Sequence, residues 1–195
     1  MINKEQHSSS FRDPSGYIFI EQNILKRKIF PIYFNQYNNL KNSKFFDKLF
    51  KSSLLIKHKE VSASESEIVI EPEQIPFITY PYEWSFNQYK EAALLTLKLQ
   101  KFALENEFSL KDASAFNVTF HNGNAIFIDT LSFNFYKENE PWRAYKQFIT
   151  HFFGPLILAH YHGSEMLKLM SSFMDGIPVK TIASLLPFKT KLNPF

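Results

Sequence analysis

The chain has 195 residues, which is enough for one sizeable core or two small lobes but not for two domains of ordinary size. A hydrophobic content of 45% and an aromatic content of 17% are typical of a folded protein rather than a disordered one. The formal net charge of +3 does not favour a nucleic-acid partner, and the lack of cysteine excludes disulfides, thiolate catalysis and Cys-ligated zinc.

The chain carries no recognisable targeting or membrane signal. Its first residues, MINKEQHSSSF, lack the apolar run of a signal peptide, and the apolar run FFGPLILA at 152–159 is too short to span a bilayer. We therefore expect no membrane partner and a cytoplasmic location. Residues 1–10 are polar and Ser-rich, so we expect a disordered tail there.

Residues 11–80 predict a strand-rich N-terminal lobe. A turn signal at 13–16 precedes two apolar runs separated by the polar residues 21–23, which indicates a β-hairpin. The spacing of apolar residues over 35–51 predicts one amphipathic helix. Strands are then predicted within 54–61 and 67–80.

Residues 81–195 predict a helical C-terminal lobe. Ser85 and Gln88 form a capping-box pattern at the start of a helix of about twenty residues. An Asn-Gly pair between two apolar runs at 118–129 indicates a second hairpin. Further helices are expected from Pro141 to Gly163, on to Met174, and over 178–186, so the predicted fold class is α+β with two lobes.

Three short polar side chains stand at the edges of the apolar runs around this second hairpin. Asp112 and Asn117 have the spacing D-x-x-x-x-N directly after the long helix, and Asp129 ends the hairpin. Since the two ends of a hairpin lie side by side, we expect Asp129 beside Asn117 in one cleft. Carboxylate and amide oxygens suit Mg²⁺, and a carboxylate suits the deprotonation of an acceptor hydroxyl in phosphoryl transfer.

The order of long helix, LKDASAFN, hairpin and FID resembles the catalytic core of the protein-kinase-like fold, and within it the aminoglycoside- and choline-kinase-like branch. The resemblance implies that Asp112 is the catalytic base and that Asn117 and Asp129 hold Mg²⁺. It also implies that the segment FITYPYEW, with Tyr80 and Tyr82, is the hinge between the lobes that receives the adenine of ATP.

The kinase-like resemblance does not identify which basic residues contact the nucleotide or which segment covers its phosphates. Arg27 and Lys28 alternate in direction along their strand, so one of the two would face the nucleotide. Lys111 would contact a phosphate or the acceptor, or would only neutralise the loop. No kinase glycine-rich loop is present, so residues 21–23 or Ser15-Gly16 would take its place.

The short sequence segments YPYEWSF, AALLTL, IDTLSF and DGIP are also similar to the N-terminal segment of bacterial proteins catalogued as SAM-dependent methyltransferases. In those proteins a methyltransferase domain follows the segment. This chain contains no glycine-rich G-x-G loop, so we expect no methyl-donor site within it and name a methyltransferase domain or protein as a candidate partner.

Three functional hypotheses follow. The first is an Mg-ATP-dependent phosphotransferase acting on an unknown acceptor hydroxyl. The second is a non-catalytic nucleotide-binding module, a pseudokinase, that regulates a methyltransferase or another partner. The third is an interaction domain that binds no nucleotide.

Overall fold

The structure is a computed structural model that describes residues 5–6 and 13–191. The chain forms two compact units: the first comprises Met1–Phe77 and Asp129–Phe133, and the second comprises Ile78–Ile128 and Asn134–Phe195. Strands dominate the first unit and helices the second, which confirms the predicted α+β class. The sequence predicted a division near residue 80 but did not predict that 129–133 join the first unit.

The first unit contains an antiparallel five-stranded sheet. The order across it is β1-β2-β3-β5-β4. Its strands are β1 Glu5–Gln6, β2 Gly16–Glu21, β3 Ile24–Ile29, β4 His58–Ala63 and β5 Ile68–Pro72. β2 and β3 form the predicted hairpin, with Gly16 opposite Ile29 and Glu21 opposite Ile24. Gln22 and Asn23 both have positive φ, which matches the twist of tight hairpin turns.

The predicted tail of residues 1–10 lies mostly outside the described residues. Within it, Glu5 and Gln6 form β1, which pairs with Ile20 and Phe19 of β2. The disordered tail stays a prediction.

Two helices connect β3 to β4, where the sequence predicted one. They are α1 Phe34–Asn42 and α2 Phe45–Lys51. The break falls at Lys44, whose φ of 58° is left-handed and cannot continue an α-helix. Each helix buries its own apolar residues, with Tyr37 and Leu40 from α1 and Phe45, Phe46 and Leu49 from α2.

The segment 129–133 joins the first unit through its apolar side chains. Leu131 and Phe133 are buried, and the Phe133 ring meets that of Phe45 edge to face at 5.0 Å between centroids. The Tyr33 hydroxyl donates to the Phe133 carbonyl. These contacts are long-range in sequence, and no local pattern encodes them.

The second unit begins with a long helix and two small antiparallel pairs. The helix α3, Phe86–Leu104, has the predicted capping box, in which Ser85 Oγ accepts the Gln88 amide. The strands are β6 Phe108–Leu110, β7 Val118–His121, β8 Asn124–Phe127 and β9 Phe133–Phe135, of which the last two residues belong to this unit. β7 and β8 form the predicted hairpin around Asn122-Gly123, whereas the pairing of β6 with β9 was not predicted.

The C-terminal helices are shorter than the sequence suggests. They are α4 Tyr145–Phe148, a π-helix Ile149–Phe153, α5 Gly154–His162, a 3₁₀ helix Ser164–Ser171 and α6 Val179–Leu185. Helix does not begin at Pro141, since residues 141–142 have no regular structure and a turn at 143–144 precedes α4. The Trp142 indole donates instead to the Leu110 carbonyl at 2.9 Å. Gly163, with φ of 100°, ends α5 as expected. Among the described helices, none is long and apolar enough to cross a bilayer.

Candidate functional site

Residues 111–117, here called the Asp112 loop, connect β6 to β7 within the second unit. Asp112 Oδ1 accepts the Ser114 amide at 2.9 Å, and Ser114 Oγ accepts the Phe116 amide at 3.3 Å. A single 3₁₀ turn, Ala115–Asn117, closes the loop. Short polar side chains that bond to nearby backbone amides compete with regular structure, so this sequence favours a tight, defined loop.

The Asp112 loop is also held by two side chains from the helix packed against it. Gln147 Oε1 accepts the Ala113 amide at 2.7 Å, and His151 Nδ1 accepts the Ala115 amide at 3.4 Å. Both alanines are fully buried, so their amides have no access to water. The loop backbone is therefore fixed by its own residues and by α4 and the π-helix.

His151 can accept this bond because its imidazole is neutral. Burial lowers the pKa of His151 to about 4, although the nearby backbone and carboxylate of Asp175 oppose the shift. The ring of Phe116 lies edge-on to the imidazole at 6.3 Å between centroids. A π-helix at this point is consistent with the observation that such distortions cluster at functional sites.

Gln147 and His151 were not among the site residues predicted from the sequence, which indicated only a helix in this region. The signal that could have found them is their spacing, because two polar residues four positions apart interrupt an otherwise apolar helical face. Their partners, the loop amides, cannot be read from the sequence.

Asn117 stands at the base of the β7–β8 hairpin. Its carbonyl accepts the Ile128 amide at 2.8 Å, and Val118 pairs with Phe127 directly above it. Lys111, Asp112 and Asn117 are each partly exposed, while Ala113, Ala115 and Val118 are buried between them. One rigid segment of the second unit thus carries three of the predicted site residues.

The predicted hinge residues Tyr80 and Tyr82 stack on each other, with centroids 5.6 Å apart and planes 12° from parallel. Tyr80 is 44% exposed, and the centre of its ring lies 6.5 Å from that of Phe116 in the Asp112 loop. The Glu83 carboxylate accepts the Tyr80 amide at 2.7 Å. A partly exposed aromatic pair therefore lies close to the Asp112 loop within the second unit.

Arg27 and Asp129 form an ion pair within the first unit. The Arg27 guanidinium donates to Asp129 Oδ1, and the Ser132 hydroxyl donates to Asp129 Oδ2. The two charged side chains are only 13% and 15% exposed. Burial would raise the pKa of Asp129, but the Arg27 charge and the hydrogen bonds from Ser132 and Arg27 outweigh it and hold the pKa below its ordinary value.

Lys28 points to the opposite face of β3, as the alternation of strand side chains requires. Its ammonium group lies 2.6 Å from the Glu67 carboxylate and 5.4 Å from the centre of the Tyr17 ring. The structure therefore separates the two basic candidates: Arg27 meets Asp129, and Lys28 meets Glu67.

The candidate metal ligands belong to different units, Asn117 to the second and Asp129 to the first. In the part of the chain that the structure describes, no group of three or more His, Asp or Glu side chains is placed to hold a metal ion. Both candidates offer the hard oxygen donors that Mg²⁺ prefers. A carboxylate has about four lone-pair sites, so the bonds from Arg27 and Ser132 leave Asp129 chemically able to bind a cation.

Comparison with known proteins gives one curated relative and several solved structures. No family model matches the chain. The nodulation protein NoeA of Rhizobium meliloti (strain 1021) is 31% identical over 186 residues, covering 92% of this chain and 39% of that protein. The chain thus spans about two-fifths of the length of the curated relative it matches.

Two protein kinases are among the similar solved structures. The Cydia pomonella granulovirus kinase PK-1 has a TM-score of 0.49 and 9% identity, covering 68% of this chain and 55% of that one. Vaccinia related kinase 3 has a TM-score of 0.48 and 12% identity, covering 94% and 83%. These likenesses concern the fold alone. The aminoglycoside- and choline-kinase-like branch and the methyltransferase resemblance stay predictions.

Proposed function

We propose that the chain is a kinase-like phosphotransferase that moves the terminal phosphoryl group of Mg-ATP to an acceptor hydroxyl, with Asp112 as its base. The observation that carries this proposal is the construction of the Asp112 loop. Its backbone is fixed at Ala113 by Gln147 and at Ala115 by His151, while Asp112 and Asn117 remain partly exposed. A preorganised loop that presents a carboxylate and an amide is what phosphoryl transfer requires of a protein.

Asp112 acts on the acceptor. Its carboxylate accepts the hydrogen bond of the acceptor hydroxyl and takes that proton as the new oxygen–phosphorus bond forms. The bond between the terminal phosphorus and its bridging oxygen breaks, and ADP leaves with that electron pair. A positioned base of this kind contributes roughly 10²- to 10⁴-fold to the rate.

The remaining site residues are proposed to bind Mg²⁺, to balance the charge of the phosphates or to contact adenine. Asn117 would offer an amide oxygen and Asp129 a carboxylate oxygen to Mg²⁺, and the ion would supply neutralisation of phosphate charge. The low pKa of Asp129 keeps it ionised at neutral pH, as a metal ligand must be. Arg27 takes the role of the strand cation, Lys111 carries a positive charge beside the base, and Tyr80 and Tyr82 offer flat faces to adenine.

A second candidate is a nucleotide-binding module without catalysis that regulates a methyltransferase or another partner. The observation that favours it is the Arg27–Asp129 pair, because Arg27, Ser132 and the Leu131 amide already donate to the Asp129 carboxylate. A metal or phosphate would have to share or displace these bonds. In this alternative the pair is structural, and Asp112 serves only to shape its loop.

The 195-residue chain can be tested in two stages. Thermal unfolding is first measured with no ligand, with Mg-ATP and with ATP plus EDTA, because a ligand of the folded state raises the melting temperature by mass action. Phosphate release and autophosphorylation from labelled ATP are then measured for the wild type, Asp112→Asn and the matched exposed control Asp47→Asn.

The outcomes separate the hypotheses. Binding with turnover that is lost in Asp112→Asn and kept in Asp47→Asn supports the phosphotransferase. Binding without turnover supports the regulatory module instead. No thermal shift at millimolar Mg-ATP would reject both and leave an interaction domain.

A further inference from the structure

Residues 173–177, here called the Gly176 turn, pack against the π-helix within the second unit. The Gly176 amide donates to the Phe173 carbonyl at 2.9 Å, which closes the turn. Gly176 is buried, and Ile177 is fully so. The turn contains the first three residues of the segment DGIP, which the proposed catalytic groups do not include. A buried turn therefore lies against the helix that carries His151.

The Gly176 turn is bonded to a helix carbonyl that a proline leaves without its regular donor. In a π-helix each amide donates to the carbonyl five residues earlier. Pro155 has no amide hydrogen, so it cannot donate in this way to the Thr150 carbonyl. The Ile177 amide donates to that carbonyl instead, at 3.0 Å. The turn is therefore attached to the helix one residue before His151.

The contact between the turn and the helix requires glycine. Gly176 has a φ of 91°, in the left-handed region that residues with a Cβ rarely adopt. A Cβ atom added there would lie 2.5 Å from Thr150 Oγ1 and 2.9 Å from His151 Cδ2. Both distances are shorter than van der Waals contact, so a side chain at position 176 would push the turn away from the imidazole.

The backbone of the turn also determines which imidazole nitrogen carries the proton. His151 makes a hydrogen bond to the backbone of Asp175 that opposes the lowering of its pKa, so the partner is the Asp175 carbonyl, which accepts from an N–H. Since Nδ1 accepts the Ala115 amide at 3.4 Å, the proton is on Nε2. The imidazole thus connects the Asp175 carbonyl to the amide of Ala115 in the Asp112 loop.

We propose that the Gly176 turn positions the Asp112 loop by holding His151 in the tautomer with its proton on Nε2, and that Gly176 is a positioning residue for the reaction. The catalytic consequence rests on the proposed function. In the opposite tautomer Nδ1 carries a hydrogen and cannot accept the buried Ala115 amide. The loop would then lose one of the two side-chain acceptors that hold its backbone.

The first test needs neither nucleotide nor turnover. Nitrogen-15 NMR of the histidine-labelled 195-residue chain distinguishes the protonated from the unprotonated nitrogen of a neutral imidazole, and His151→Gln identifies the signals of His151. We expect a proton on Nε2 and none on Nδ1 in the wild type at neutral pH. In Gly176→Ala the two tautomers should mix, and hydrogen exchange at the Ala115 amide should accelerate by about tenfold.

Gly123→Ala is the matched control. Gly123 also has a positive φ, of 80°, but apart from its chain neighbours no atom lies within 4 Å of an added Cβ. This variant carries a similar backbone strain, and it should leave the tautomer of His151 and the exchange at Ala115 unaltered. Equal changes in the two variants would indicate a general loss of stability and would overturn the proposal.

The wild type decides the question if Gly176→Ala does not fold. A proton on Nδ1 of His151, or unprotected exchange at the Ala115 amide, would overturn the proposal. A single tautomer with its proton on Nε2, and an NMR coupling across the hydrogen bond to the Asp175 carbonyl, would support it.

The second test measures kcat and KM for phosphate release from Mg-ATP, with water as the acceptor. Misplacement of a catalytic loop slows the chemical step, so Gly176→Ala should lower kcat by roughly ten- to a hundredfold and change KM for ATP little. Gly123→Ala should keep both constants. If turnover depends on Asp112 and kcat is unchanged in Gly176→Ala, this proposal fails and the phosphotransferase stands. If the tautomer shifts in Gly176→Ala and the wild type shows no turnover, the positioning of the loop stands and its catalytic role fails with the phosphotransferase.

Discussion

The guanidinium of Arg27 donates to the carboxylate of Asp129, a residue 102 positions further along the chain. The pair connects Asp129, the first residue of the segment 129–133, to strand β3 within the first unit. Its two side chains are mostly buried, so each depends on the other to offset the loss of water.

Asp129→Asn should destabilise the first unit, because it leaves the Arg27 charge partly buried without its counter-charge. Removing one member of a buried pair costs about 3 kcal/mol. Thermal and urea unfolding should show this loss, and Glu140→Gln serves as the control because the Lys137–Glu140 pair is exposed and is worth less than about 1 kcal/mol. Similar losses in both variants would contradict a special role for the Arg27–Asp129 pair.

The stabilisation from Asp129 should depend on pH. Its folded-state pKa is lowered, so its contribution is fully present above the ordinary pKa of 3.8 and is lost as pH falls through the folded value. The stability difference between the wild type and Asp129→Asn should therefore be constant from pH 7 to pH 5 and narrow below about pH 4. A difference that shrinks already between pH 7 and pH 5 would point to another group.

Two buried histidines should make the chain less stable in mild acid. Burial lowers the pKa of His58 and of His151 from 6.5 to about 4. Between these values the unfolded state binds protons that the folded state does not, so stability falls as pH falls, by up to about 1.4 kcal/mol per pH unit for each histidine. Below about pH 4 both states are protonated and the dependence on these groups ends.

The histidine contribution can be isolated with His58→Phe. The imidazole of His58 meets the stacked rings of Phe46 and Phe50 edge to face, at 5.0 Å from each centroid, so an aromatic replacement fits its surroundings. This variant should show a shallower loss of stability between pH 6.5 and pH 4 than the wild type. His160→Phe, at an exposed position, should keep the wild-type slope, and equal slopes in all three proteins would refute the prediction.

Gln147→Leu should loosen the Asp112 loop. The change removes the acceptor of the buried Ala113 amide, and an unsatisfied buried donor costs about 1–3 kcal/mol. Hydrogen exchange at Ala113 should accelerate, and any phosphotransfer should slow more than nucleotide binding weakens. Lys146→Leu changes the adjacent exposed residue and should leave exchange at Ala113 unaltered.

Lys44→Gly should stabilise the first unit by about 0.5–1 kcal/mol, because glycine adopts the left-handed conformation at the break between α1 and α2 without steric cost. The matched change Lys98→Gly, in the exposed middle of α3, should cost about 1 kcal/mol instead. Melting temperatures of the two variants should move in opposite directions. A loss of stability in Lys44→Gly would contradict this account of the break.

The features that the sequence predicted well are those with local causes. The capping box at Ser85 and the Asn122-Gly123 turn each depend on residues within a few positions of one another. The break at Lys44 was missed because the helical spacing of apolar residues over 35–51 continues through it. The positive φ of Lys44 does not change that spacing. The pairing of β6 with β9 was missed because its strands are short and distant in sequence.

The difference between local and long-range causes also explains which residues of the candidate site the sequence could predict. The polar residues Asp112, Asn117 and Asp129 stand out among apolar neighbours, so the sequence could nominate them. The spacing of Gln147 and His151 could mark them as an interruption of an apolar face, but it could not identify the partner of Gln147, a backbone amide 34 positions away. Nor could the sequence choose between Arg27 and Lys28, because the choice depends on which face of β3 meets Asp129.

The return of residues 129–133 to the first unit has a consequence for how the chain is made. A ribosome that has released residues 1–77 has not yet synthesised Leu131 and Phe133, which are buried in that unit, or Asp129, which neutralises Arg27. During translation, the first unit therefore lacks some of its residues until synthesis has continued beyond Phe133. A truncated gene that ends at residue 77 would yield a protein with an open apolar surface, whereas a clone extended past 133 supplies every residue of that unit.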